Sequence, residues 1–440
     1  MLATLYDDHI RQQRQRTDDA LAKCGFDSLA IYAGAPHMMF LDDHGYPFKA
    51  NPHFKLWTPL EDAAECWIVY RPGAKLRLVF LQPIDYWHKP PAMPEGFWTK
   101  HFDIEVIREP REAQPHVSNL PKCAFIGEWQ PQFERWGFAD KNPENLLHRL
   151  HYPRAAKTEY ELECMRKAST IAARAHRAAE AAFRAGKSEY EIHMGYVHAS
   201  GHTESQLPYS NIVALNDNAA VLHYQHQARE VPARRYSFLI DAGAQFHGYA
   251  ADVTRTYAET EGDFAALVAA MEALQLQLCS QVRAGVDYAD IHLDAHTRIA
   301  EALRQADVIK LPATEAVASG LSSVFFPHGV GHLLGLQVHD VAGFSVSADG
   351  KQKARPAGHP FLRLTRTLEP GFVVTIEPGL YFIDALLKEA RANEHAQHIN
   401  WSRVDYFRPY GGIRVEDNVA CTNGAPENLT RAAFARAVDG

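Results

Sequence analysis

Cysteine, long apolar runs and positive charge are all scarce in this chain, and each scarcity removes a class of function. The six cysteines, Cys24, Cys66, Cys123, Cys164, Cys279 and Cys421, lie far apart with no Cys-x-x-Cys pair. That excludes a disulfide framework and a thiolate zinc site, and it predicts buried, reduced thiols. No stretch of about eighteen apolar residues occurs, so no membrane span is expected. The N-terminus, MLATLYDDHIRQQRQRTDDALAKCGF, places charges among apolar residues at helical spacing and lacks the apolar core of a signal peptide, so the expected location is cytoplasmic. Lysine and arginine number 45 against 53 aspartates and glutamates, and the net charge of −8 with no basic run argues against nucleic acid or an anionic membrane as partner. Short-period repeats and low-complexity segments are missing too, which sets aside solenoids and linkers.

What is present is the composition of a folded protein whose 440 residues exceed one ordinary core, so two domains are expected, at most three. In the first third, short apolar runs (SLAIYA, ECWIVY, LRLVFL, CAFIGE) alternate with helical stretches, as in an α/β domain spanning residues 1–156. A long alanine-rich helical pattern then starts near Lys157 and stops at Gly186, opening a second domain, residues 157–440. There, helices at Glu189 to His198, Phe264 to Arg283 and Tyr288 to Gln305 alternate with strand-like runs SFLIDA, DVTRTYA, FVVTIEP and GIRVEDNVA.

Acids recur at the ends of these strands. Asp241 and Asp252 lie eleven residues apart around a turn-prone Gln-Phe-His-Gly. If Gln245 to Gly248 make the reversal, the two face each other directly, and like charges that close destabilise a hairpin unless a cation lies between them. The alternative is that Asp241 opens an Asp-Ala-Gly turn and Asp252 meets solvent. Glu377 ends FVVTI, and Glu416 shares a strand face with Arg414, which makes an Arg414–Glu416 ion pair the competing reading there. Buried carboxylates need partners or metal. A further cluster is FPHGVGHLLGLQVHD, with His328, His332 and His339 among glycines that disfavour a helix and suit tight backbone paths. Together these segments make a candidate ligand set of Asp241, Asp252, His332, Glu377 and Glu416. Four carboxylates and one imidazole suit Mn²⁺, Fe²⁺ or Co²⁺, and four negative charges are balanced by two divalent ions.

Carrying these residues in order, the blocks PYSNIVALN, AAVLHY, LIDAGAQFHGYAADVTRTY, PHGVGHLLGLQVHDVAGF, TIEPGLYF and GGIRVEDN resemble the pita-bread metallopeptidases, and within them the bacterial Xaa-Pro dipeptidases. FLDDHGYPFK and the Asp-Tyr-Trp-His at residue 85 extend the resemblance over nearly the whole chain, while Leu333 departs from it where relatives often carry proline. The resemblance implies an α/β (α+β) chain, with a small N-terminal α/β domain followed by a pita-bread catalytic domain. Asp241, Asp252, His332, Glu377 and Glu416 would hold two divalent ions, Mn²⁺ before Co²⁺ or Fe²⁺, with Asp252 and Glu416 bridging them.

By the same resemblance, a metal-bridging hydroxide would cleave dipeptides ending in proline. His223 would meet the scissile carbonyl, His339 the substrate and the intermediate, and Glu377 would shuttle the proton, with His328 in support. Arg363 would read the substrate's carboxylate, as a bidentate guanidinium can, with Arg366 and Arg414 as rivals. A homodimer and some hydrolysis of organophosphate esters are further implications. The competing readings are an aminopeptidase P acting on longer peptides, a metal-free creatinase-like amidinohydrolase, and a non-catalytic binding module on the same fold.

Overall fold

In a computed structural model that describes residues 1–61 and 63–437, the four apolar runs of the first third are strands. They are β1 (Ser28–Tyr32), β2 (Trp67–Tyr70), β3 (Leu76–Leu81) and, after β4 (Phe102–Ile107), β5 (Cys123–Ile126). With β6 (Asp140–Lys141) they form one mixed sheet in the order β4-β3-β2-β1-β5-β6. β1, β2 and β5 are buried along their whole length, which is why they read as continuous apolar runs rather than alternating ones. Trp67 anchors this core, its ring centroid 4.6 Å from Tyr32 and 4.9 Å from Phe133. The sheet belongs to a compact unit of Met1–Cys164 together with His247–Tyr249 and Ser347–Lys351.

A second unit takes the rest of the described chain. Most of the alanine-rich helix Glu159–Arg184 belongs to it, from Met165 on, and the helix is followed by Gly186 at φ 79, the left-handed stop that a helix end favours. The later helices are Glu189–Ser200, Asp263–Cys279 and Tyr288–Gln305. Beside them lie β7 (Ile212–Leu215), β8 (Ser237–Asp241), β9 (Ala244–Phe246), β10 (Tyr249–Ala251) and β11 (Thr254–Ala258). The sheet β11-β8-β7 packs Val213, Leu215, Phe238 and Ile240 against Ala175, Ala179, Phe183 and Tyr196 of the first two helices. The small alanines let helix and sheet approach closely, so an otherwise plain sequence makes a dense core.

Each of the two C-terminal strand runs is broken at its acid. FVVTIEPGLY becomes β12 (Val373–Ile376) and β13 (Gly379–Tyr381), and GIRVEDNVA, expected as one strand, becomes β14 (Gly412–Arg414) and β15 (Asp417–Ala420). β12 pairs with β15 and β13 with β14, so both strands change sheet at Glu377 and Glu416. A short β16 (Glu427–Asn428) extends the β12-β15 sheet.

Asp417 fixes the far side of this break. Fully buried, it takes hydrogen bonds from Arg255 at 2.7 Å, Arg431 at 2.8 Å and Asn428 at 2.8 Å. Burial works to raise its carboxyl, but the two guanidinium groups outweigh it and hold the group down to about 2. Asp417→Asn should therefore destabilise the fold by about 3–5 kcal/mol, since the buried Arg255 and the half-buried Arg431 lose their counter-charge. Because the folded carboxyl is depressed below its unfolded value of about 3.9, this stability is complete above that value and disappears as pH falls towards about 2. Urea unfolding of both proteins at neutral and acidic pH measures it; equal midpoints at neutral pH would refute the argument. Among the described residues all six cysteines are free, five of them buried, and no helix is long and apolar enough to cross a membrane.

Candidate metal centre

The two aspartates share a sheet face, though in a register different from the expected one. His247 and Gly248, at φ 52 and φ 81, are the two residues between β9 and β10, and this moves the reversal one residue towards the C-terminus. Asp241 consequently faces Thr254, not Asp252, and the amide of Ala242 donates to the carbonyl of Val253 at 3.0 Å. A slip of two residues keeps every side chain on its face, so Asp252 is the diagonal neighbour of Asp241. The hydroxyl of Tyr209 lies between them, 2.8 Å from Asp241 and 2.5 Å from Asp252. Gly243 leaves the room: a Cβ there would stand 2.6 Å from the Tyr209 ring. Tyr209 was not foreseen as a site residue; it lies inside the block PYSNIVALN, and nothing in its local pattern marks it.

The strand breaks supply the glutamates. The amide of Glu416 donates to the carbonyl of Thr254 at 3.0 Å, and the Thr254 hydroxyl donates to the Glu416 carboxylate at 2.7 Å. The expected alternative, an Arg414–Glu416 pair, does not form. Arg414 instead donates to Asp241 at 2.8 Å and to the Tyr381 hydroxyl at 2.8 Å, because β14 ends before Glu416 and the two side chains enter different surroundings. The amide of Glu377 donates to the carbonyl of Val330 at 2.8 Å, which ties this acid to the glycine-rich segment.

That segment lies alongside β12, with Leu333 bridged to Val374. His332 donates its amide to the Thr375 hydroxyl at 3.0 Å and accepts the Thr375 amide at 2.9 Å. Its Nδ1 donates to the carbonyl of Leu333 at 2.9 Å, which turns Nε2 towards Asp252 and Glu377, each 3.5 Å away. Gly331, at φ +151, is the close approach that the glycines implied: a Cβ there would lie 2.2 Å from the Thr375 carbonyl oxygen.

Asp252, His332 and Glu416 offer ligand atoms that all lie within 4.8 Å of one another, and they are 5%, 3% and 2% exposed. Four carboxylates thus face one guanidinium, Arg414, and one imidazole. Burial and then the neighbouring acids Asp252, Glu377 and Asp241 push the Glu416 carboxyl well up. Burial also raises Asp241 against the pull of Arg414, and lifts Glu377 to about 7 despite His332. So much unbalanced negative charge in a largely buried site fits two divalent cations, which restore the charge balance.

The ring of His339 stands edge-on to His332, with centroids 4.4 Å apart. Burial, followed by the charges of His332 and Arg363, pushes it down to about 4, so it is neutral at physiological pH and can both donate and accept. His223 and Arg363 are exposed and close enough to act on His339 electrostatically. His328 donates from Nδ1 to its neighbour's carbonyl, that of Gly329, at 2.8 Å and meets the Tyr381 hydroxyl at 2.8 Å, which links it through Tyr381 to Arg414. Arg366 is buried, paired with Glu369 at 2.8 Å and stacked on Phe372.

Residues 4–152 match the family model described as Xaa-Pro dipeptidase, N-terminal domain, and residues 163–423 match metallopeptidase family M24. The chain is 52% identical over 435 residues to the Xaa-Pro dipeptidase of Stenotrophomonas maltophilia (strain K279a), covering 98% of each. To that of Xanthomonas euvesicatoria pv. vesicatoria (strain 85-10) it is 51% identical over 441 residues, covering 99% of each. Among solved structures, aminopeptidase P from E. coli in its low pH form aligns with a TM-score of 0.72 at 22% identity, over 98% of this chain and 99% of that one. The zinc-substituted E. coli aminopeptidase P in complex with product aligns with a TM-score of 0.69 at 23% identity, over 97% and 98%. At that identity the likeness is one of fold, the pita-bread fold.

Proposed function

This chain belongs to metallopeptidase family M24, and from that premise we propose that it is a Xaa-Pro dipeptidase, hydrolysing dipeptides with a C-terminal proline. The observation that carries the reading is the gathering of Asp241, Asp252, His332, Glu377 and Glu416 from four separate segments into one cluster, with Asp252, His332 and Glu416 buried. It stands in a chain that is 52% identical from end to end to a Xaa-Pro dipeptidase.

The family implies a dinuclear divalent centre, and the residues present fit one. Manganese is the ion we assign to it, on the oxygen-rich donor set. When bound, such a pair makes a nucleophile from water at neutral pH and polarises the carbonyl. The protein's own groups do the rest. Asp241, with Arg414 fixing its orientation, Asp252, His332 and Glu416 would hold the ions. Glu377, whose amide is tied to the carbonyl of Val330, would take a proton and return it to the leaving proline nitrogen. His223 and His339 hydrogen-bond the carbonyl oxygen and the intermediate. The protein acts in the cytoplasm as a homodimer.

Arg363 is the group assigned to the proline carboxylate, because its rivals are occupied: Arg414 by Asp241 and Tyr381, Arg366 by Glu369. Loss of a charged hydrogen bond costs about 1.5–3 kcal/mol, roughly ten- to a hundredfold in kcat/KM. Arg363→Met should lose that factor on a Xaa-Pro dipeptide and almost nothing on the corresponding amide, with metal content unchanged. Release of the N-terminal residue from dipeptide, amide and Xaa-Pro-Yaa tripeptide tests both points. A wild-type protein that prefers the tripeptide is an aminopeptidase; a variant that keeps its preference for the free carboxylate reads it with another group.

A further inference from the structure

Glu189 is a buried acid outside the carboxylate cluster. It lies in the first turn of the helix Glu189–Ser200 at 1% exposure, and an acid so deep needs donors. The helix itself is capped by the residues on either side: the Ser188 hydroxyl accepts the Glu191 amide at 3.3 Å, and the Glu191 carboxylate accepts the Ser188 amide at 3.0 Å. The donors to Glu189 come from residues 215–228. Its Oε1 accepts the Leu215 amide and the Asn218 side-chain amide, each at 2.8 Å, and its Oε2 accepts the Tyr224 hydroxyl and the Ala228 amide, each at 2.8 Å. That fills a carboxylate, which offers about four acceptor positions.

Leu215 ends β7, and no helix or strand runs through residues 221–236. Within that irregular stretch lie the exposed His223 and, beside it, Tyr224, which is buried with Ile212, Ala214 and Leu239. One carboxylate therefore holds the start of the loop, its far end and the neighbour of the histidine. The Tyr190 amide adds a bond to the Ala228 carbonyl at 3.1 Å. Burial, and then the bond to Glu189, push the Tyr224 hydroxyl up, so it stays protonated and donates. His223 in turn acts electrostatically on His339 and His328. Glutamine has the shape of Glu189 but a single acceptor oxygen. Whichever way its amide lies, its NH₂ group meets the backbone amide of Leu215 or of Ala228, and neither of those can turn over to accept.

We propose that Glu189 is a positioning residue of the hydrolysis: by closing the loop 215–228 and holding Tyr224, it sets the place of His223. The inference rests on the reading above, in which His223 hydrogen-bonds the scissile carbonyl oxygen. Such a bond strengthens as charge develops on that oxygen, so misplacing it lowers kcat and leaves KM nearly unchanged.

The test uses the full-length protein loaded with Mn²⁺ and a Xaa-Pro dipeptide. Glu189→Gln should lower kcat by about a hundredfold, the scale of an ångström of misplacement, at nearly constant KM and unchanged metal content. Tyr224→Phe keeps the packing and deletes one donor; it should show the same pattern with a smaller loss, and it decides the matter if Glu189→Gln does not fold. In a His223→Ala background Glu189→Gln should cost almost nothing further, because the group it places is gone. Without substrate, hydrogen exchange should quicken across residues 216–228 in Glu189→Gln. Wild-type kcat in the variants, a loss that falls on KM, losses that multiply with that of His223→Ala, or unchanged exchange would each overturn the proposal alone. A wild type that leaves the dipeptide intact, or a fully active His223→Ala, would overturn it through the reading on which it rests.

Discussion

Glu416→Ala should lose its metal and its activity together and keep its fold. The carboxylate is 2% exposed and held by Thr254, and its neighbours Asp252, Glu377 and Asp241 all repel it. A purely structural acid in a core would be missed on deletion, and stability would fall. This one is destabilising without cations, so the metal-free variant should melt no lower than the metal-free wild type. Added Mn²⁺ should raise the melting temperature of wild type, as any ligand that binds only the folded state does, and leave the variant where it was. Turnover should drop by about a thousandfold or more, the scale on which the main electrostatic stabilisation of the transition state is lost. Calorimetry with and without Mn²⁺, beside elemental analysis and proline release, gives all three readings. A variant that keeps both ions and normal turnover would remove Glu416 from the centre.

How much of this was legible follows from what kind of signal each feature leaves. The helix Tyr288–Gln305 has the ends that its periodicity predicts, because its apolar stripe and its Asp287 cap are both local. The acids at the strand ends were legible as needing partners, for buried charge is costly wherever it lies. The hairpin register was not: choosing Gln245 to Gly248 or His247 and Gly248 as the turn depends on which residues take positive φ, and both options preserve the alternation. The strand GIRVEDNVA reads as continuous because its residues are buried throughout, and the sheet change at Glu416 is imposed by Thr254, 162 residues earlier in the chain. β4 was missed because FDIEVI sits at a sheet edge with its acids outward, which blurs it into a loop. Tyr209 was invisible for a different reason: its hydroxyl matters only once two aspartates flank it.

The glycines of PHGVGH carry the other large expected effect, at Gly331. Its φ of +151 is unfavourable for any side chain, and an added Cβ would lie 2.2 Å from the Thr375 carbonyl oxygen, 2.4 Å from the Tyr288 hydroxyl and 2.6 Å from the Thr375 hydroxyl. These are the groups that place His332: its amide donates to the Thr375 hydroxyl, its carbonyl accepts the Thr375 amide, and Tyr288 donates to the Thr375 carbonyl at 2.7 Å. All three contacts are too short for a real methyl group, and all three are with the neighbouring strand or a fully buried tyrosine, so the histidine segment must move outward by about an ångström. A displacement of that size at a reacting centre costs about a hundredfold in rate, whereas overpacking a core costs about 1–3 kcal/mol of stability. Gly331→Ala should therefore remain folded at assay temperature, bind Mn²⁺ more weakly, and lose at least about a hundredfold in kcat/KM. Extra Mn²⁺ should restore only part of the loss, because occupancy returns but the position of His332 does not. Wild-type kcat/KM in the variant would show that the segment tolerates the methyl group, and that His332 is not placed by this contact.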